Sequence, residues 1–296
     1  MRTFEASLAL TALWLGCSRA ETELRRSPAL ASAASATPLT GNVGAAPAGS
    51  VEAGRDAVVN EGATSTGPGP LQGEPLTALE VPGHASAVVA LPLGSRSRKP
   101  VVVALHGNFD RPDWQCGVWA PIVAGRAFVL CPRGVLRRDV PKSWDRWEYR
   151  SAQAVADELE AGLGALRARY VDYVDEGPVV FIGFSLGAIY GASLLQKEAE
   201  RFPRAVLIEG GLGSWSAAAA KRYVKHGGQR LLIACGQSDC MARIKTLLPV
   251  LERAGLPARG GGSARAGHTY DGPVAEVVQQ NWDWLVEGDP RFGVDD

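Results

Sequence analysis

The chain has 296 residues, of which 46% are hydrophobic and 21% charged. That composition excludes disorder along the whole length and is enough for one or two domains with a sizeable core. The 31 Lys plus Arg balance 31 Asp plus Glu, so no net field draws the protein to nucleic acid, and no nucleic-acid partner is expected.

The N-terminal segment 1–20 has Arg2 near its start, an apolar run over 8–15 and small residues behind it. This is the layout of a secretory signal peptide, and it is too short to span a bilayer as a mature helix. Leu15-Gly16-Cys17 resembles the lipobox of bacterial lipoproteins, with Trp14 where that motif usually carries leucine. The resemblance implies lipidation at Cys17, membrane anchoring and a place in the cell envelope. Ser18-Arg19-Ala20 offers the alternative, ordinary cleavage and a periplasmic or secreted protein. The stretch 21–75 is rich in Ala, Ser, Thr, Gly and Pro with no sustained period. It reads as a flexible tether that cannot bury enough apolar surface to offset its ordering entropy.

From residue 76 onward, short apolar runs alternate with helical patterns, the signature of parallel strands joined by crossovers in an α/β fold. Strands are expected at 86–91, 100–105, 127–131, 179–184, 205–209 and 230–235. Helices are expected at 151–170, 186–200, 241–254 and 274–286. In the first of these, Val155, Leu159, Leu163 and Leu166 recur at spacings of three and four and form one apolar face. Only the span 211–229 separates two of the strands, which leaves no room for a large lid domain.

The sharpest chemical signal is Gly183-Phe184-Ser185-Leu186-Gly187, set between the apolar run 179–182 and an apolar helical pattern. A strand-to-helix turn exposes the serine hydroxyl there, and glycine on either side lets helix and strand pack closely. The competing reading is a plain helix N-cap, which does not require both glycines. Three further segments follow in keeping with this: Leu105-His106-Gly107-Asn108, Cys235-Gly236-Gln237-Ser238-Asp239 and Gly267-His268-Thr269. Together these segments resemble the α/β-hydrolases, in particular small lidless esterases of the dienelactone-hydrolase or polyester-depolymerase type.

The resemblance covers 76–296 and implies a three-layer α/β-hydrolase domain with a mostly parallel sheet and helices on both faces. It also implies a Ser185–His268–Asp239 triad cleaving carboxylic esters through an acyl-enzyme, with no cofactor and no metal. The oxyanion donors would be the backbone N–H groups of Leu186 and of Asn108 or Phe109. A small-molecule ester is the implied partner. A catalytically silent binding protein and a serine peptidase are the alternatives on the same fold. Glu209, at the end of an earlier strand, competes with Asp239 and is read as a structural acid. His106 is read as structural, and His84 and His226 receive no role.

With Cys17 set aside, four cysteines allow three connectivities, of which Cys116–Cys131 with Cys235–Cys240 is preferred for an exported domain. Trp114, Trp119, Trp144, Trp147 and Trp215 fall in loops after strands and either line a pocket or cover the core. Arg111, Asp113, Arg133, Arg137 and Arg138 are candidates for gripping a polar substrate, or are merely solvated.

Overall fold

The computed structural model describes residues 67–293. The signal-peptide reading, Cys17 and most of the tether lie outside the described residues. Packing begins before residue 76. Leu71 is 5% exposed within the main core, and its backbone pairs with Ser95 and Gly94. The segment 67–75 therefore contributes to the domain, although its Gly, Pro and polar composition gives no periodic signal.

Ten strands and six α-helices follow in the order β1 (Leu76–Leu79), β2 (Ala87–Ala90), β3 (Val101–Leu105), α1 (Pro112–Val123), β4 (Phe128–Cys131), β5 (Val135–Leu136), β6 (Trp147–Glu148), α2 (Ala152–Arg169), β7 (Val180–Phe184), α3 (Leu186–Lys197), β8 (Arg204–Ile208), α4 (Ala217–Lys225), β9 (Arg230–Cys235), α5 (Ser238–Arg253), β10 (Ala258–Gly262) and α6 (Pro273–Val286). Eight strands form one sheet in the order β1-β2-β4-β3-β7-β8-β9-β10. The β1–β2 and β2–β4 pairs are antiparallel, and every pair from β4 to β10 is parallel. β5 and β6 form a separate small ribbon.

Strand alternation divides the core between two faces. On one, Val103, Leu105, Phe181, Leu207 and Ile233 meet Val155, Leu159, Leu163 and Leu166 of α2, with Ala192, Tyr223 and Leu251 from α3, α4 and α5. On the other, Val102, Ala104, Ile182, Val206 and Leu232 meet Trp119 of α1 and Val278, Trp282 and Leu285 of α6. Both faces are covered, as the continuous apolar strands require, and the architecture is three-layer α/β. Each fully buried leucine or phenylalanine contributes roughly 1.5–3 kcal/mol.

α2 and α3 lie where the apolar spacing places them, and Ser151 caps α2 by accepting from Ala154 N at 3.1 Å. α1 carries no sequence signal. It contains Gly117 and Pro121, and apolar Trp114, Val118 and Ile122 lie outside its buried face of Pro112, Gln115, Cys116, Trp119 and Val123, so no clean amphipathic stripe marks it. β10, Ala-Arg-Gly-Gly-Gly, lacks the β-branched residues by which strands are recognised and exists because β9 offers it a parallel edge. The span 211–229 forms α4, with Trp215, Ala219, Ala220 and Tyr223 buried beneath it, and so serves as a layer of the core and not as a lid. Both expected cysteine pairs are joined, Cys116–Cys131 between α1 and β4 and Cys235–Cys240 between β9 and α5. No helix among the described residues is long and apolar enough to cross a membrane.

Candidate active site

Ser185 sits between the last residue of β7 and the first of α3 with φ 49° and ψ −112°, a conformation rarely populated by residues with a side chain. The surroundings enforce it. A Cβ on Gly187 would lie 2.6 Å from Leu105 Cβ and 2.7 Å from the His106 carbonyl oxygen, and one on Gly183 would lie 2.9 Å from Ala188 Cα. Both flanking glycines are therefore required for helix and strand to approach this closely. The Ser185 hydroxyl makes no cap hydrogen bond to α3. It is hydrogen-bonded instead to His268 Nε2 at 2.8 Å, a contact the N-cap reading does not account for.

His268 belongs to the loop between β10 and α6. That loop is tied down beside it, where Gly267 N–H donates to the Gly236 carbonyl at 2.8 Å, and the Phe184 ring lies 5.0 Å from the imidazole. On the far side of the ring, Nδ1 faces Glu209 Oε2 at 3.5 Å. The Glu209 side chain is 2% exposed, against 46% for His268, and its Oε1 accepts from the backbone N–H groups of Gly236 and Gln237. This is long for a hydrogen bond to Nδ1 but within the range that tightens when substrate arrives.

The acid facing His268 is thus Glu209 and not Asp239. Asp239 lies exposed in the first turn of α5 and makes no hydrogen bond or ion pair with His268 among the described residues. The reason is local. α5 starts at Ser238, immediately after the two-residue turn that leaves β9, so Asp239 is already wound into the helix. β8 ends at Ile208, and Glu209 turns the chain with φ 52°. Residues Gly210 and Gly211 follow, and Gly210 passes so close to the Ser185 carbonyl that no Cβ fits. An acid at a strand end followed by two glycines was the available signal.

The loop after β3 faces the nucleophile. Gly107 N–H donates to Asp110 Oδ2 at 3.2 Å, and buried Asp110 also accepts from Arg111 N–H at 2.8 Å and from the Tyr270 hydroxyl at 3.3 Å. Burial, helped by the Asp110 carboxylate, pushes the Tyr270 phenol far above its ordinary value, so it remains a donor. One carboxylate thereby joins the loop of Asn108 to the loop of His268. Leu186 is the first residue of α3, so its N–H has no partner within the helix. The Asn108 N–H has no partner among the described residues. The Phe109 N–H does, because it donates to the Trp147 carbonyl at 3.1 Å. The Phe109 N–H is therefore already engaged and does not face the nucleophile as an open donor. His106 is fully buried, bonds to the Gly107 and Arg133 carbonyls through its two ring nitrogens and stacks on Tyr149, away from Ser185.

No family model and no curated protein matches the chain. Solved structures do. A fluorophosphonate-binding serine hydrolase of Staphylococcus aureus superposes with a TM-score of 0.52 at 12% identity, covering 75% of this chain and 100% of that one. A protein from Thermus thermophilus gives 0.50 at 20% identity, covering 72% and 98%. A carboxylesterase from Bacillus cereus gives 0.47 at 22%, covering 67% and 93%. The fold is that of the α/β-hydrolases. At these identities the likeness is one of fold.

Around the site the tryptophans separate. Trp119 is fully buried and Trp215 is 5% exposed against Tyr223, so both belong to the core. Trp114 and Trp144 are exposed. Phe109 and Trp114 line a cavity of about 330 Å³ with Asn108, Phe184 and His268, and Arg146 lies over both of those rings. Arg111 pairs with Asp113 and Asp145, and Arg137 with Asp139 and Glu148, so these guanidiniums are largely committed within the rim. Arg133 donates to the Ser86 carbonyl and lies over Trp147. Glu209, Cys235 and Cys240 bring ligand-type atoms within 4.8 Å of one another, but both cysteines are in a disulfide, which leaves no thiolate for a metal.

Proposed function

We propose that the protein hydrolyses carboxylic esters through an acyl-enzyme, with Ser185 as nucleophile, His268 as general base and acid, and Glu209 as the carboxylate orienting the imidazole. The observation that carries this reading is the continuous line from the Ser185 hydroxyl through both ring nitrogens of His268 to a buried carboxylate. For Nε2 to accept the serine proton, the neutral imidazole must carry its own proton on Nδ1. Glu209 Oε2 favours that tautomer and stabilises the imidazolium that forms during attack. His268 then gives the proton to the departing alkoxide, and water repeats the cycle on the acyl-enzyme.

Negative charge on the attacked carbonyl oxygen would be held by the N–H groups of Leu186 and Asn108, with the N-terminus of α3 adding to the field. The absence of a lid-like insertion among the described residues and the exposed rim of Phe109, Trp114 and Trp144 suit a small or moderately sized ester. The S. aureus protein of the same fold is described as a serine hydrolase, which is compatible with this reading. We further propose export, with lipidated Cys17 as membrane anchor, on the strength of Leu15-Gly16-Cys17 and the two disulfides.

Turnover of nitrophenyl esters of graded acyl length, set beside the matching anilides, tests the assignment. Saturable ester hydrolysis at least about 100-fold faster than anilide hydrolysis is expected. Faster anilide cleavage would select a peptidase, and no turnover of either would select a binding protein.

A further inference from the structure

The turn between β9 and α5 is only two residues long, yet it touches both partners of Ser185. Its N–H groups, from Gly236 and Gln237, both point to Glu209 Oε1. Its Gly236 carbonyl accepts from Gly267, the neighbour of His268. Gly236 has no room for a Cβ against the Gly267 carbonyl, and Gln237 is bridged to Arg265 in the same loop. A shift of this turn would move the acid and the base together.

The Cys235–Cys240 disulfide fastens this turn. Cys235 is the fully buried last residue of β9, and Cys240 lies in the first turn of α5 with its Cα 5.6 Å away. Side-chain burial adds only part of the hold on that end of the helix, where Cys240 and Met241 pack on the core while half-exposed. Only Ile244 and Leu251 of α5 are fully buried, while Gln237, Ser238, Asp239, Ala242 and Arg243 are exposed. The Glu209 carboxylate also lies within 4.8 Å of both sulfur atoms, so the cross-link covers the acid as well as bracing its donors. The sequence separation is 5, against 15 for Cys116–Cys131. A link closing so short a loop restricts the unfolded chain least, which makes a local role the better account of it.

We propose that the Cys235–Cys240 disulfide is a positioning device for catalysis: it holds the Gly236 and Gln237 N–H groups on Glu209 Oε1, so that Oε2 is directed at His268 Nδ1. The proposal rests on the reading of Glu209 as the orienting acid. Without the link, the turn gains freedom, Glu209 swings off the imidazole, and turnover falls while substrate binding at the rim of Phe109 and Trp114 persists.

The test is a double-mutant cycle in the full-length chain. Cys235→Ala with Cys240→Ala should lower kcat for a nitrophenyl ester by about 10- to 100-fold, the scale of loss from a small misplacement of a reacting group. KM should stay within about 2-fold. In the Glu209→Gln background the same pair should change kcat by less than about 2-fold, because the clamp then has no carboxylate to position. A purely structural link would instead give equal losses in both backgrounds. Removing the other disulfide by Cys116→Ala with Cys131→Ala should lower the thermal midpoint and spare kcat.

If the cysteine-free turn does not fold, the same comparison is made by reducing the native protein with a water-soluble phosphine. Each equivalent takes the oxygen of one water and converts the disulfide to two thiols. Cys240 is half-buried, whereas Cys116 and Cys131 are fully buried, so this bond is reduced first. Activity should then fall in step with the appearance of two thiols at Cys235 and Cys240. An unchanged kcat, or equal losses with and without Glu209, overturns the clamp while leaving the catalytic reading intact. Near-normal activity of Glu209→Gln alone overturns the reading on which the clamp rests.

Discussion

Replacing Glu209 by glutamine changes one atom and reverses the instruction given to His268. Both backbone donors of the β9–α5 turn point at Oε1, so the amide oxygen must take that place to keep them satisfied. The amide NH₂ then occupies the position of Oε2, 3.5 Å from His268 Nδ1. A donor there favours the tautomer with an unprotonated Nδ1, which puts the ring proton on Nε2, facing the Ser185 hydroxyl. The base is then unable to accept. The corresponding amide substitution in the serine-protease example costs about 10⁴ in turnover, or about 5 kcal/mol of transition-state stabilisation. We therefore predict a loss of about 10⁴ in kcat for Glu209→Gln near neutral pH, with an unchanged far-ultraviolet spectrum. Asp239→Asn, altering an exposed side chain of α5, should stay within about 3-fold of the parent. Steady-state hydrolysis of a nitrophenyl ester measures both. A large loss for Asp239→Asn beside near-normal turnover for Glu209→Gln would refute the assignment of the acid.

Gly187→Ala should destabilise the domain by about 3 kcal/mol or more, because the added methyl meets Leu105 Cβ and the His106 carbonyl, neither of which is the flexible end of a side chain; a urea midpoint equal to that of the parent would contradict the close approach of α3 and β3. The phenols of Tyr149, Tyr223 and Tyr270 are all raised, chiefly by burial. Their folded-state pKa lies above the unfolded value of about 10, so their contribution is complete below pH 10 and is lost as pH rises beyond it. Unfolding free energy should fall by about 3 kcal/mol between pH 10 and 11, and Tyr270→Phe should remove about a third of that fall; a flat profile in denaturant titrations would count against burial of the three rings. The mature N-terminus is expected to be lipidated Cys17, read by mass spectrometry; a free Glu21 would select the soluble alternative, and an intact Met1 would exclude both.

Ser185 and His268 were legible because each sits where a period changes. The apolar run of β7 passes through a glycine-flanked serine into α3, and the histidine precedes α6. The six expected strands were legible as continuous apolar runs, buried along their length, and the four expected helices by apolar residues recurring at spacings of three and four. The acid was not. Glu209 and Asp239 both follow apolar strands, and choosing between them depends on where α5 begins and on the positive φ of Glu209, which tertiary packing sets. The loss of Phe109 as a donor depends on Trp147, brought beside it by the β5–β6 ribbon. α1 and β10 escaped for different reasons: the apolar residues of α1 extend beyond its one buried face, and β10 is made by the edge of β9.

Labelling of the intact protein by a fluorophosphonate, followed by peptide mapping, reads the nucleophile directly. A serine activated by His268 is phosphonylated in preference to every other hydroxyl, so one adduct per chain is expected, located at Ser185 and absent from Ser185→Ala, whose turnover should fall by about 10⁶. An adduct on a different residue, or ester hydrolysis that survives undiminished in Ser185→Ala, would contradict it.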